Sequence, residues 1–570
     1  MAAAVLLAGC ASDDLAVTDA GTSGGADAKA YVALTFVPSS GSGTRAGSSE
    51  DDTEAGRQAG EDYENAITSA VAFFYQADGG VNAAAETAIT AAVRFDNITK
   101  DNTGTGVYAT ETKEVGMPAG TYHVIVVANP GTDWWTAQST LTLGGVRDHI
   151  YETAWTESGG SYSSFLMSSA CDTTVDLQSS SSYGSPAVVN ATVERVAARL
   201  DYKACGSFTC TDNQGYNSGA TVEITGAALV NNLTAGSYLL KRVACASDTN
   251  NVTYLGEEVP GGNYVLDPWT LRKGDTGSTD NIYGVSYTGG SGDPNWWDGY
   301  VKEGDAMSDG FKRIGYTLEN TTLAENTSKA YNTGVVFKAK FTPACGTVRG
   351  TYTDGATFFA WGNSLYASME DVMSTFYGSA FAEFDNGICS CSSWCDVNTF
   401  ITTVLKENDP SGYYDYLSKQ YEANNSKNNF SAVKDSLYWK AYMTNVCGYS
   451  YESGTVTLDQ AEGTSTREAL KQYGVSTYED ATCYYTWWVR HSGSDQSSDK
   501  GSQTDGAADG DGIGDGGNSV MEYAVVRNNI YQLEVESVYG LGGDVPGDNP
   551  LSVNVYVNDW LLLPAEELPM

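Results

Sequence analysis

Residues 551–557 alternate apolar and polar side chains, the two-residue period of a pleated backbone with one face buried. Leu551, Val553, Val555 and Val557 fall on one face, and Ser552, Asn554, Tyr556 and Asn558 on the other. A Gly/Pro-rich loop, 540–550, precedes the run and only a short apolar tail follows it, so it reads as a strand hung outside a finished domain. Such a strand needs a sheet edge to pair with. Near the other end, residues 31–37 alternate likewise, with Val32, Leu34 and Phe36 on one face, and lead into a Ser/Gly-rich loop carrying Arg45. The matching period suggests that the last strand replaces the first. Two plainer readings stand beside this: Arg45 as a solvated loop residue, like Arg57 nearby, and 551–557 as a final edge strand of its own chain.

Between these ends the same period recurs. Residues 66–75, 123–128, 193–202, 222–224, 335–341, 483–489 and 523–538 are β-branched and aromatic runs separated by Gly/Ser/Asn/Asp loops. Val335, Phe337, Ala339 and Phe341 face one way and Lys338 and Lys340 the other, as an antiparallel sheet with one wet face requires; Tyr531, Leu533 and Val535 alternate with Gln532, Glu534 and Glu536 in the same manner. With 63 Gly, 37 Tyr and only 18% charged residues, the chain reads as mainly β, a sandwich pattern. A Cys/Gly/Ser/Asn-rich loop after 193–202 sets a boundary near 204, giving an N-terminal segment 11–45, a first sandwich 46–203, a second 204–545 and a C-terminal strand segment 546–570. One region breaks the pattern: Leu365, Met369, Val372, Met373 and Phe376, then Phe400, Val404 and Leu405, recur at helical spacing over 364–384 and 397–420. They mark a helical insertion in the second sandwich, about 364–447.

Charge narrows the partners. Asp+Glu 71 against Lys+Arg 31 gives a formal net charge of −40, which repels phosphate backbones and argues against nucleic acid. Residues 5–10 (VLLAGC) form a short apolar run closing on Cys10, as in a bacterial lipoprotein signal covering 1–10, and Cys10 would carry lipid. No stretch approaches the roughly 20 apolar residues of a spanning helix, so the expected membrane link is the precursor lipid alone. Trp560 with Leu561, Leu562 and Leu563 is too short and uncharged an apolar run for an anchor and reads as the end of the last strand's packing.

Catalysis finds little support. The three imidazoles, His123, His149 and His491, lie in no nucleophile motif or metal pair, and a Cys/His hydrolase from Cys483 and His491 has nothing else to mark it. The expectation is no enzyme and no cofactor. Setting aside Cys10, ten of the 11 cysteines permit disulfides, with Cys205 and Cys210 or Cys447 and Cys483 conceivable. Cys389, Cys391 and Cys395 are low-ranked zinc candidates, and Asp505, Asp509, Asp511 and Asp515 low-ranked calcium candidates; the spacing of the latter departs from an EF-hand, and an acidic hairpin loop between 483–489 and 523–538 is the preferred reading.

Five segments carry a resemblance: Thr44 to Gly47 (TRAG), Ala191 to Leu200 (ATVERVAARL), Asn332 to Pro343 (NTGVVFKAKFTP), Val525 to Leu541 (VVRNNIYQLEVESVYGL) and Leu551 to Trp560 (LSVNVYVNDW). In these the chain resembles the Mfa-like fimbrilins, the major shaft subunits of type V pili of Bacteroidia. The resemblance implies two tandem transthyretin-like β-sandwich domains and export as a lipoprotein, with lipid (palmitate) on Cys10. It also implies cleavage after Arg45 by an Arg-specific surface protease, which removes the strand with Val32, Leu34 and Phe36. The donor strand with Leu551, Val553, Val555 and Val557 then enters a neighbouring copy. The implied partners are further copies of the chain, anchor and tip fimbrial proteins, and host or bacterial surface receptors; the implied location is the outer membrane for the precursor and the fimbrium for the mature form. The alternative function is a non-polymerising tip adhesin or glycan-binding surface lipoprotein of the same fold.

Overall fold

The computed structural model describes residues 29–37, 57–100, 107–204, 206–245, 248–255, 263–273, 282–287, 299–323, 326–368, 371–372, 375, 475–491, 521, 523–547 and 551–561. The protein is mainly β, and its described helices are short, as at Asp62–Asn65 and Leu143–Arg147.

Two pairs of sheets each enclose a core. In the first pair, one sheet orders Ala187–Ala191, Ala30–Phe36, Tyr108–Thr110 and Ile98–Lys100, with Lys113–Val115 also pairing with Ala30–Phe36. The other orders Val193–Arg195, Met167–Ser169, Gly120–Ala128, Ala70–Tyr75 and Ala91–Phe95. Val32, Leu34, Phe36 and Val189 from one meet Ala72, Phe74, Val124, Val126 and Met167 from the other. Ala70–Tyr75 is apolar at every position because both its faces are covered: Val71, Phe73 and Tyr75 enter a separate core with Trp135, Leu143 and Leu240.

In the second pair, Arg57–Ala59, Leu551–Leu561, Asn529–Val538, Ala197–Ala204, Lys312–Leu318 and Asp305–Ala306 form one sheet, and Ser207–Thr209, Thr221–Val230, Gly334–Thr342 and Thr482–Trp488 the other. Leu200, Tyr531, Leu533 and Val535 pack against Val222, Phe337, Ala339, Phe341 and Tyr485. The alternation read in 335–341 holds, since Val335, Phe337, Ala339 and Phe341 are all fully buried. Its wet face is only half-exposed, with Lys340 Nζ donating to Thr482 Oγ1 at 3.0 Å. Gln532 was expected to face water and is buried, its amide donating to Asp309 Oδ2 at 2.7 Å.

The described strands bear on four readings of the sequence. The crossing between sheet pairs falls at Val196, because Val193–Arg195 pairs with Met167–Ser169 while Ala197–Ala204 pairs with Lys312–Leu318 and Asn529–Val538. Thr482–Trp488 and Asn529–Val538 are not hairpin partners, because they lie in different sheets; alternation reveals which face is buried, not which sheet owns the strand. Ser364–Tyr366, expected at the start of a helix, is a strand with Leu365 opposite Ala360, so tertiary pairing overrides the three-and-four spacing there; the rest of 364–447 lies almost wholly outside the described residues. The tail strand does not hang outside a finished domain. It is part of the second sheet pair, the edge-strand alternative read from the sequence, because its own chain's Asn529–Val538 supplies the partner it needs.

Candidate strand-exchange site

The leading strand Ala30–Phe36 occupies the middle of its sheet. It runs parallel to Ala187–Ala191, with Val32 opposite Ala187 and Phe36 opposite Ala191. On its other side it runs antiparallel to Lys113–Val115 and Tyr108–Thr110. Ala30, Val32, Leu34 and Phe36 all point into the first core, the last three fully buried. Side chains fix its ends and middle: Ser181 Oγ accepts from Tyr31 N at 2.9 Å, Thr110 Oγ1 accepts from Leu34 N at 2.9 Å, and Glu114 holds Lys29 at 2.7 Å.

The tail strand Leu551–Leu561 runs antiparallel to Asn529–Val538 over most of its length, from Leu551 opposite Val538 to Asp559 opposite Asn529, with an irregularity between Val535 and Ser537. Leu551, Val553 and Val557 are buried and Val555 half-buried, all against the second core, so the face assigned from the sequence is the face that packs. On its other edge, 559–561 pair with Arg57–Ala59 in parallel.

Where these elements meet, charged residues are sealed from water. Trp560 is 1% exposed and stacks on Tyr316 with ring centroids 5.9 Å apart and planes 7° from parallel. The Arg195 guanidinium lies 4.4 Å from the Trp560 ring, and its Nη1 donates to the Trp560 carbonyl at 2.9 Å. The same guanidinium donates through Nε to the Glu64 carbonyl at 3.1 Å and through Nη2 to Asn65 Oδ1. Glu64 closes the group: its carboxylate accepts from Arg199 Nη1 at 2.9 Å, from the Tyr316 hydroxyl, and from the Glu61 N–H at 2.8 Å. Glu61 and Glu64 form a reciprocal capping box on the one-turn helix Asp62–Asn65, so the turn that presents Glu64 is itself held.

Burial shapes the charges. Arg199 Nη2 donates to Asp201 Oδ2 at 2.9 Å with both side chains wholly buried. Loss of hydration pushes the Asp201 carboxyl up to about 6 and lowers Arg195 to about 10. Gly60 is required by the crowding, because a Cβ there would come within 2.5 Å of Asn65 Oδ1 and 2.6 Å of Trp560 Nε1. Chemically the cluster is a clamp, with no nucleophile: it ties the chain just past the Arg45 loop to the last turn of the tail. Sequence reading named Trp560 as strand packing but missed Glu64, Arg195, Arg199, Asp201 and Tyr316. A signal was present, since Glu194, Arg195, Arg199 and Asp201 interrupt the otherwise apolar run 193–202.

Cys483 and His491 are engaged separately. The Cys483 sulfur lies 3.8 Å from the Tyr485 hydroxyl and burial pushes its thiol up to about 12, whereas His491 Nδ1 meets the Tyr531 hydroxyl at 2.8 Å. His123 sits inside Gly120–Ala128, 2.9 Å from Asp172, and His149 stacks on Trp134. Cys210 and Cys483 are thiols; their conceivable partners Cys205 and Cys447 lie outside the described residues. So do Cys10, Arg45, Cys389, Cys391, Cys395, Asp505, Asp509, Asp511 and Asp515.

Comparison with known proteins bears on both strands. Residues 30–231 match the sequence model of the family described as major fimbrial subunit protein (FimA), a match that begins at the leading strand. Residues 476–564 match that of the fimbrillin C-terminal region of type IV major fimbrial subunits, a match that includes the tail strand. Among solved structures, a candidate cell adhesion protein from Parabacteroides distasonis is 13% identical, with 93% of this chain and 99% of that one covered and a TM-score of 0.41. A candidate cell adhesion protein from Bacteroides eggerthii is 10% identical over 94% and 96%, TM-score 0.33. The tip fimbrial protein Mfa3 from Porphyromonas gingivalis, truncated at its C-terminus, is 10% identical over 93% and 100%, TM-score 0.31. No curated protein matches. With family matches at both of its ends, the chain belongs to the fimbrial subunit proteins, cell-surface β-sandwich proteins that assemble with other fimbrial proteins.

Proposed function

We propose that the chain is a shaft subunit of a surface fimbrium and polymerises head to tail by protease-activated strand exchange. The observation that supports this reading is a pair of strands of matching period: Ala30, Val32, Leu34 and Phe36 fill the first core at the two-residue spacing that Leu551, Val553, Val555 and Val557 repeat in the second. Cleavage after Arg45 frees the leading strand, while residues 60–65 stay in the clamp with Arg195 and Trp560. Its departure exposes apolar surface flanked by unpaired backbone groups of Ala187–Ala191 on one side and of Tyr108–Thr110 and Lys113–Val115 on the other. An extended segment from a neighbour satisfies both by strand addition.

Four buried aliphatic side chains contribute about 6–12 kcal/mol gross, at roughly 1.5–3 kcal/mol each. The tail gives up a similar amount on leaving Asn529–Val538, so the vacated slot drives the exchange more than any preference of the tail. The contact is heterologous and therefore propagates as a filament. In this reading Cys10 carries the precursor's lipid at the outer membrane, an Arg-specific surface protease activates it, anchor and tip proteins bound the fibre, and surface receptors are its adhesive targets.

One observation favours a second reading, a tip adhesin or glycan-binding subunit that keeps its tail: the pairing of the tail with Asn529–Val538 over residues 551–559. Truncating 546–570 does not separate the two, because it strips Leu551, Val553, Val557 and Trp560 from the chain's own cores. A staple does. Gln532 lies opposite Tyr556, a spacing that suits a disulfide, so Gln532→Cys with Tyr556→Cys locks the tail in place. After proteolysis, the oxidised variant is expected to stay monomeric and the reduced one to form fibres seen by electron microscopy. Fibres from the stapled protein would refute exchange of this tail, and no fibres in either state supports the second reading. Arg45→Ala is expected to leave full-length monomers; fibres from it would remove activation at that site.

A further inference from the structure

Beneath the second sheet pair, Lys273, Asp267 and Asn320 meet in a pocket closed to water. The Lys273 and Asp267 side chains are wholly buried and Asn320 is 1% exposed. Lys273 Nζ stands 2.8 Å from Asp267 Oδ2, 2.6 Å from Asn320 Oδ1 and 2.6 Å from the Thr321 carbonyl. Its neighbours hold each member in place. The Trp269 N–H donates to Asp267 Oδ1 at 2.7 Å and the Thr321 N–H to Asp267 Oδ2 at 2.7 Å. Asn320 N and O both bond Val525 at 2.8 Å. Asn320 Nδ2 donates to the carbonyls of Asn231 and Tyr331 and to Thr333 Oγ1, at 3.2, 2.9 and 2.8 Å, which fixes the amide with its oxygen toward the lysine.

A second buried ammonium among the described residues, Lys241, pairs with Glu194. Lys273 has a carboxamide within bonding reach and a carboxylate placed to move protons. An amine, an amide carbon and a proton carrier held together without competing water are the components of acyl transfer from nitrogen to nitrogen.

We propose that Lys273 and Asn320 join in an intramolecular isopeptide bond, with Asp267 as the proton carrier. The Lys273 ammonium passes one proton to Asp267, and the freed Nζ attacks Cγ of Asn320. A bond forms between Nζ and Cγ, the bond from Cγ to Nδ2 breaks, and a second Nζ proton reaches Nδ2, which departs as ammonia. The amide keeps the third proton, Asp267 ends as the neutral acid, and no oxidant or other reactant is consumed. Burial lowers the lysine's proton affinity, which favours the free amine the step needs. The three acceptors around Nδ2 suit a departing ammonia. The product ties the turn 267–273 to the chain leaving Lys312–Leu318, a covalent brace in a protein of the cell surface; it is independent of whether the tail exchanges.

Mass spectrometry of the full chain, reduced and alkylated, tests this. The expected results are an intact mass one ammonia below that of the sequence and a branched peptide joining residues 273 and 320 in the proteolytic map. Lys273→Arg and Asn320→Ala are each expected to restore the full mass and abolish the branched peptide. A wild-type chain at its full mass refutes the bond and leaves a simple buried ion pair. Loss of ammonia without the branched peptide refutes it too, since it would report cyclisation at a single asparagine. The wild-type measurement decides even if a variant fails to fold.

Discussion

Trp560→Ala tests whether the clamp holds the tail. The indole is buried among Phe165, Tyr316 and Arg195, with ring centroids 5.9 Å away in both aromatic contacts, so its removal leaves a cavity walled by rigid groups that cannot close it. Truncating a core Trp costs about 3–5 kcal/mol. The lost guanidinium contact adds about 0.5–2 kcal/mol in so dry a site, which places the expected loss in the upper half of the first range. No hydrogen bond is lost with the indole, since Trp560 Nε1 has no partner among the described residues and the backbone carbonyl that Arg195 holds survives the substitution. Urea unfolding gives the size of the effect, and hydrogen exchange gives its place: the amides of Leu551–Leu561 are expected to lose protection more than those of Gly334–Thr342. Trp560→Phe keeps a ring on Tyr316 and is expected to cost under about 2 kcal/mol. A Trp560→Ala loss below about 1 kcal/mol, with tail protection unchanged, would refute the clamp.

Gly60→Ala is expected to destabilise by about 1–3 kcal/mol through overpacking, because the new methyl meets Asn65, Trp560 and Arg195 at 2.5, 2.6 and 2.9 Å; a neutral effect in urea unfolding would mean that these groups are not jammed together. Asp201 governs a pH effect. Its folded pKa of about 6 lies above the roughly 3.9 of a free aspartate, so the folded chain binds the proton more tightly. The stability this contributes, on the order of 1–3 kcal/mol, is fully present below about pH 4 and fades as pH rises through about 6. Asp201→Asn is expected to flatten that slope in unfolding curves taken between those values, and an unchanged slope would move its origin elsewhere.

What the sequence made legible, and what it hid, follows from the range of each signal. Alternation is local, so it placed Val335, Phe337, Ala339 and Phe341 on a buried face and did the same for the tail's Leu551, Val553 and Val557. Partner choice is not local. Nothing in residues 551–557 distinguishes a neighbour's slot from the edge of Asn529–Val538, and both present the same unsatisfied backbone and apolar surface. The clamp was hidden for a related reason: Glu64, Arg195, Tyr316 and Trp560 are scattered through the chain and become one object only when Arg57–Ala59 lies beside the end of the tail. That adjacency bears on the proposed activation. Residues just beyond the Arg45 loop are pinned to the tail's last turn, whereas the leading strand just before it is pinned in the other sheet pair. Residues 38–56 join these two elements in sequence, so the proposed cut after Arg45 would uncouple them while the clamp keeps hold of Trp560. In the proposed exchange the tail would then start to peel from its Leu551 end, with Trp560 still held. Tail release and clamp opening become separate steps, and Trp560→Ala should quicken the second without creating the slot that drives the first.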